Sequence, residues 1–155
     1  MKIAVGSDEK THLTDFIIKE LKKRGHRIGK FGSLTGRKTS WPEVGEIVAE
    51  KVAQKEYDQG VLFCWTGTGV SIVANKVPGI RAALCFDVET ARGARKWNDA
   101  NILVMSLRLT SENIAKEILD AWFSTKFDKR KVDRLKKVAT IENKYFKTTI
   151  FQKRS

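Results

Sequence analysis

Hydrophobic positions along this chain follow two periods that take turns. Gln59–Cys64, Ile80–Phe86 and Asn101–Ser106 are compact apolar runs of strand length, the pattern of strands buried on both faces. Lys2–Ser7 is β-branched enough for a central strand and ends at Gly6-Ser7-Asp8, whereas His26–Phe31 is short and polar and predicts an edge strand. Between these runs, apolar residues recur at helical spacing. Leu13, Phe16, Ile17 and Leu21 mark a helix over Thr11–Arg24 that Gly25 stops. Pro42 opens a second helix, with Val44, Ile47, Val48 and Val52 on one face. Further helices are predicted after Gly69, over Val88–Trp97 and over Ser111–Trp122. The last has Thr110 or Ser111 as N-cap and Ile114, Ile118, Leu119 and Trp122 as its buried stripe.

Strand and helix therefore alternate, which predicts an α/β fold: a three-layer, Rossmann-like parallel sheet of five strands with helices on both faces. A common strand order for such a sheet is 2-1-3-4-5, in which ligands bind beyond the carboxyl ends of strands one and three, where the chain reverses direction. Asp8 and Glu9 follow the first strand and Cys64 ends the third, so this topology gathers them. A helix after Phe127, with Val132, Leu135 and Val138 turned inward, completes one domain over residues 1–142. Residues 143–155 read as a basic tail whose Tyr145, Phe146, Ile150 and Phe151 offer a surface to a neighbouring subunit.

The chemistry concentrates in Cys64-Trp65-Thr66-Gly67-Thr68-Gly69, between the third strand and its helix. A strand that ends in glycines and threonines and then turns into a helix presents a row of backbone N–H groups, suited to an anion or a developing oxyanion. The Cys64 thiol stands at its entrance. The loop is not a Walker A, since no lysine follows its last glycine, and Ile72 occupies the third small position that a dinucleotide fingerprint needs. A thiol beside such a loop fits covalent catalysis or proton abstraction next to a carbonyl. A buried, inert strand-end cysteine is the alternative reading.

Charge and composition narrow the classes. The net charge is +12, of which the stretch Lys126–Ser155 contributes +8 through eleven Lys/Arg against three Asp/Glu. Such a segment could bind RNA through phosphates, hold one small phosphate with a few arginines, or present a solvated helix face. The aromatic and basic interleaving of a defined RNA module is missing, so nucleic acid is not the expected partner. No apolar stretch approaches a membrane span of roughly 20 residues, and no signal peptide is evident, so a cytoplasmic protein is expected. Cys64 and Cys85 lack disulfide or zinc spacing.

Several motifs together resemble one family. Gly6-Ser7-Asp8, Cys64-x-Thr66-Gly67-x-Gly69, Ala74-Asn75-Lys76-Val77-Pro78-Gly79-Ile80-Arg81-Ala82-Ala83-Leu84-Cys85 and Asn98-Asp99-Ala100-Asn101 are similar to the type B ribose-5-phosphate isomerases and their relatives, the galactose-6-phosphate isomerase subunits. The resemblance spans Met1 to about Val138. It implies an aldose-ketose isomerase of a phosphorylated sugar, of the ribose 5-phosphate/ribulose 5-phosphate type, working through an enediol. It also implies no metal or other cofactor, and a homodimer or tetramer whose active site lies at the subunit interface. By the same resemblance, Cys64 is the base that moves the proton, Thr66, Gly67, Thr68 and Gly69 hold the sugar oxygens and the enediolate, and Asp8 and Asn98 bind hydroxyls. Arg108 lies near the phosphate. Arg130 and Arg134 match two phosphate-binding arginines from the partner chain, once one residue is taken as deleted after Phe127-Asp128; at i, i+4 on one helix face both could reach one anion.

The departures from the family matter as much. Where the ribose enzymes carry the ring-opening histidine, this chain has Trp97, and an indole exchanges no proton near neutral pH. Trp41 replaces a tyrosine and Trp65 a glycine, so three tryptophans at site positions imply a reshaped pocket, unless they serve the core or an interface. Glu9 replaces a histidine and becomes a candidate acid beside Asp8, ahead of His12. Two other classes of function stay open: a sugar-phosphate binder without catalysis, or one subunit of a heteromeric isomerase.

Overall fold

The structure, a computed structural model, describes the backbone of residues 1–152 and the side chains of residues 1–146. Its elements are β1 (Lys2–Ser7), α1 (His12–Lys23), β2 (Arg27–Gly32), α2 (Trp41–Ala53), β3 (Gln59–Cys64), α3 (Thr68–Ala74), β4 (Ala82–Leu84), α4 (Val88–Asn98), β5 (Ile102–Ser106), α5 (Glu112–Ser124) and α6 (Val132–Gln152). Short 3-10 turns lie at Ser33–Thr35 and Lys129–Lys131. All strand pairs are parallel.

Local chemistry sets the element ends. Thr11 caps α1 in a reciprocal pair with Thr14. After α1, the N–H of Gly25 bonds Lys22 O and that of His26 bonds Leu21 O, the paired bonds of a Schellman stop. Ser40 and Glu43 form the box that starts α2, and Ser111, not Thr110, caps α5.

Alternation along the strands sends side chains to two separate cores. Ile3, Val5, Val61, Phe63, Leu103 and Met105 pack against α1, α4 and α5, together with Trp122, whose indole N–H donates to Gln59 Oε1 at 2.7 Å. Ala4, Leu62, Cys64, Ile102 and Val104 pack on the opposite face against α2 and α3. The side chain of Cys64 therefore leaves the sheet on the side where both α2 and α3 begin.

The sheet order is β2-β1-β3-β5-β4, which corrects the expected 2-1-3-4-5. An interior strand must fill two faces. Every residue of β5 is buried, whereas β4 shrinks from the expected Ile80–Phe86 to three half-buried residues and takes the edge. The side chain of Asn75 brackets that edge: Nδ2 donates to Ala82 O at 2.9 Å and Oδ1 accepts from Ala82 N at 2.9 Å. Such a bracket blunts an exposed strand. The exchange leaves β1 and β3 adjacent, so the switch point stands as expected.

The C-terminal segment departs from expectation more. α6 runs unbroken through residue 143, so no tail begins there. Of the expected inward stripe Leu135 is half-buried and Val132 and Val138 are exposed; Val138, Ile141 and Tyr145 border a groove beside β4 while staying largely exposed, as is Phe146, because α1 to α5 already cover both faces of the sheet. Ile150 and Phe151 lie outside the residues whose side chains are described. Among the described residues, no helix is long and apolar enough to cross a membrane.

Candidate active site

The carboxyl ends of β1 and β3 frame a cleft of about 360 Å³, lined by Asp8, Trp41, Cys64, Trp65, Thr66, Thr68 and Gly69. Parallel pairing sets Ser7 beside Phe63, so the next residue on each strand reaches the same rim. The loop between β3 and α3 is held from below by the end of β5. Leu107 N donates to Cys64 O at 3.0 Å, and Arg108 N to Trp65 O at 2.9 Å. The fully buried Ser106 donates its hydroxyl to the same Trp65 carbonyl at 2.9 Å. On the other flank, Ser33 Oγ donates to Asp8 O at 2.7 Å and accepts from Thr39 N at 3.0 Å. Ser33 and Ser106 are not among the sequence candidates, because a serine at the end of a strand or just after it is too common to single out.

Two glycines shape the loop. Gly67 has φ of +79°, and a β-carbon there would come within 2.5 Å of Leu84 Cδ1, so backbone conformation and space both demand glycine. A β-carbon on Gly69 would meet the Trp41 ring at 2.8 Å. The first turn of α2 thus lays an indole directly over the start of α3. Thr66 and Thr68 share a hydroxyl hydrogen bond of 2.7 Å, and Thr68 N approaches Thr66 Oγ1 at 3.4 Å. The first-turn N–H groups of a helix have no intrahelical acceptor, so those of Gly69 and Val70 are the donors this loop can offer an oxygen.

Asp8 is half-buried, and its carboxyl is pushed above the ordinary range, chiefly by burial and further by the charge of Glu9. Glu9 itself is exposed and does not line the cleft. His12 is fully exposed, 4.0 Å from Glu112 across the surface between α1 and α5. Cys85, the other thiol, is sealed in the core, and burial pushes it up to about 12. Among the described residues, no group of three or more His, Cys, Asp or Glu could hold a metal ion.

The remaining candidates lie outside this cleft in the single chain. Trp97 is half exposed, its ring laid against Gly93 one turn back on α4. Asn98 borders a separate groove of about 600 Å³ between the start of β4 and α6. Arg108 is exposed, with its backbone tied to the loop. Arg130 and Arg134 do not share one helix as expected: Arg130 sits in the 3-10 turn and Arg134 in the first turn of α6. Arg130 grips Asp128 with two bonds of 2.9 Å, which holds that carboxylate down at about 2.

A family model described as ribose/galactose isomerase matches residues 3–139. Ribose-5-P isomerase B of Listeria innocua is 38% identical over 143 residues, covering 89% of this chain and 97% of the relative. The D-erythrulose-4-phosphate isomerase of Pectobacterium atrosepticum is 35% identical over 134 residues, covering 83% and 86%. Among solved structures, ribose-5-phosphate isomerase B of Clostridium thermocellum superposes with a TM-score of 0.88 at 42% identity, covering 94% of this chain and 99% of that one.

Proposed function

The chain belongs to the ribose/galactose isomerase family, and from that premise we propose that it interconverts the aldose and ketose forms of a phosphorylated sugar through an enediol. The observation that carries the reading is the convergence of Cys64, Asp8 and the Thr66–Gly69 loop on one cleft. Cys64 acts as the base that takes the proton from C2 of the aldose. The C–H electron pair forms the C1–C2 double bond, and negative charge collects on the former carbonyl oxygen. Loop N–H groups and the Thr66 and Thr68 hydroxyls are placed to stabilise that charge. The thiol then returns its proton to C1, and the proton of the C2 hydroxyl is transferred to O1, so that C2 becomes the carbonyl. Asp8, protonated to a higher pH than an ordinary aspartate, can donate to a sugar oxygen as well as accept.

The phosphate falls to Arg108 of one chain with Arg130 and Arg134 of a second copy, in a dimer or tetramer. Asp128 occupies Nε and Nη2 of Arg130, and Nη1, with no partner among the described residues, can meet an anion in a fixed orientation.

Trp97 points to the substrate. A pentose 5-phosphate closes into a furanose through its free O4 hydroxyl, and its ring must be opened by an acid before C2 can be deprotonated. A tetrose 4-phosphate carries its phosphate on O4, cannot close that ring and needs no such acid. With an indole where family ribose enzymes have histidine, the preferred substrate is an acyclic tetrose phosphate. Isomerisation assays across tetrose, pentose and hexose phosphates test this. A kcat/KM at least tenfold higher for a tetrose 4-phosphate than for ribose 5-phosphate is expected, and the opposite order removes the argument from Trp97.

A further inference from the structure

Much of the sequence that carries the family resemblance has no part in the chemistry above. Asn75, Arg81, Asp99 and Asn101 nevertheless form one connected network. Asn75, at the end of the helix that follows the loop, donates to Ser71 O at 3.0 Å while it brackets Ala82. Next to Ala82, Arg81 N donates to Asn101 Oδ1 at 2.8 Å, and Asn101 Nδ2 donates to Gly79 O at 2.9 Å. The Arg81 Nε then reaches the carbonyls of Asn98 at 3.1 Å and Asp99 at 2.9 Å. The end of α4 is thereby fastened, through β4, to the helix that carries the loop.

Asp99 is the centre of this arrangement. It ends α4 with φ 44° and ψ 44°, a left-handed conformation that glycine adopts without strain, Asp and Asn at a modest cost, and other residues rarely. Capping alone does not need its carboxylate, since the N–H groups of Asp99 and Ala100 both reach Ala94 O. The carboxylate is instead shared between two arginines: Oδ2 accepts from Arg81 Nη2 at 3.3 Å and Oδ1 from Arg95 Nη1 at 3.2 Å. Arg95 is itself largely buried, with its guanidinium 5.5 Å from the Trp122 ring centroid and Nη1 also on Ala100 O. A strained backbone held by charges from two elements is the mark of a position that must be fixed. What it fixes is the preceding residue, Asn98, which is exposed at this corner beside Trp97.

We propose that Asp99 is a positioning residue for the isomerisation: clamped by Arg81 and Arg95, it sets the angle at which Asn98 meets a sugar hydroxyl. This rests on the isomerase reading above and on Asn98 as the hydroxyl ligand that the family resemblance implies. The test compares wild type, Asp99→Gly, Asn98→Ala and the double variant, with kcat and KM measured separately for the best sugar phosphate, alongside thermal midpoints. Asp99→Gly is expected to stay folded, because glycine relieves the strain, and to raise KM roughly tenfold with a smaller change in kcat. The double variant is expected to match Asn98→Ala within about twofold, since both changes remove the same contact. Should Asp99→Gly fail to fold, Asp99→Asn, which tolerates the left-handed region, takes its place with the same expectation.

Wild-type KM in Asp99→Gly, or losses that multiply independently in the double variant, would overturn the proposal. An active wild type whose Asn98→Ala variant keeps its KM would overturn it while leaving the isomerase reading intact. A wild type inactive on every sugar phosphate would overturn both.

Discussion

The Cys64 cleft and the exposed candidates Trp97, Asn98, Arg130 and Arg134 are built in opposite ways. The cleft is assembled by backbone topology: adjacent parallel strands deliver Asp8 and Cys64, and hydrogen bonds from Ser33, Ser106, Leu107 and Arg108 hold the flanks. The latter are exposed side chains on α4, a 3-10 turn and α6, and none of them lines the cleft. Charged groups in water interact weakly until another surface excludes that water. On the proposed reading, the cleft is the proton-transfer half of the site and the exposed arginines are the anion-binding half, which a second copy would complete.

The largest expected effect comes from breaking the proton-transfer half. Gly67→Ala forces a β-carbon into a left-handed backbone and toward Leu84, at a combined cost of about 2–5 kcal/mol, and activity falls with the loop geometry. Chemical denaturation together with the isomerase assay checks it. Next comes the anion-binding half. Arg134→Ala should raise KM by about 10- to 100-fold without moving the thermal midpoint, because an exposed arginine contributes little to the fold. Unchanged KM would remove Arg134 from the phosphate site.

The two regions also differ in what acid does to them. Asp128 is held low by Arg130, so its contribution is present above the ordinary carboxylate range and is lost as pH falls toward about 2. Asp8 has the opposite sign. Its raised carboxyl makes the ionised form a burden on the fold above that value, and the burden disappears as pH falls through it. Asp8→Asn should therefore be as stable as wild type or slightly more so at pH 7, with the difference vanishing on acidification, while kcat/KM drops. Thermal midpoints measured across pH separate the two groups.

The cleft was legible in the sequence because its parts sit at element ends that periodicity locates well. Gln59–Cys64 is a strand with the bounds its apolar run predicts, and the glycines after it admit few conformations. The order of β4 and β5 was not legible, since both read as buried runs and only their competition for the interior separates them. The spacing of Arg130 and Arg134 suited one helix, but Asp128 caps a 3-10 turn through Arg130 N and shifts the start of α6 to Val132. The inward stripe expected of α6 is met only in part, by the half-buried Leu135, for a related reason: periodicity shows an apolar face without showing what is left to cover it.

The central claim is that Cys64 carries the proton. Its most direct measurement is the isomerisation of a sugar phosphate in D2O by wild type and by Cys64→Ala, with deuterium at C1 of the ketose followed by NMR. Turnover in wild type should bring deuterium into C1, and Cys64→Ala should lose roughly a hundred- to ten-thousandfold in both isomerisation and exchange. Equal rates and equal deuterium incorporation in the two proteins would contradict it.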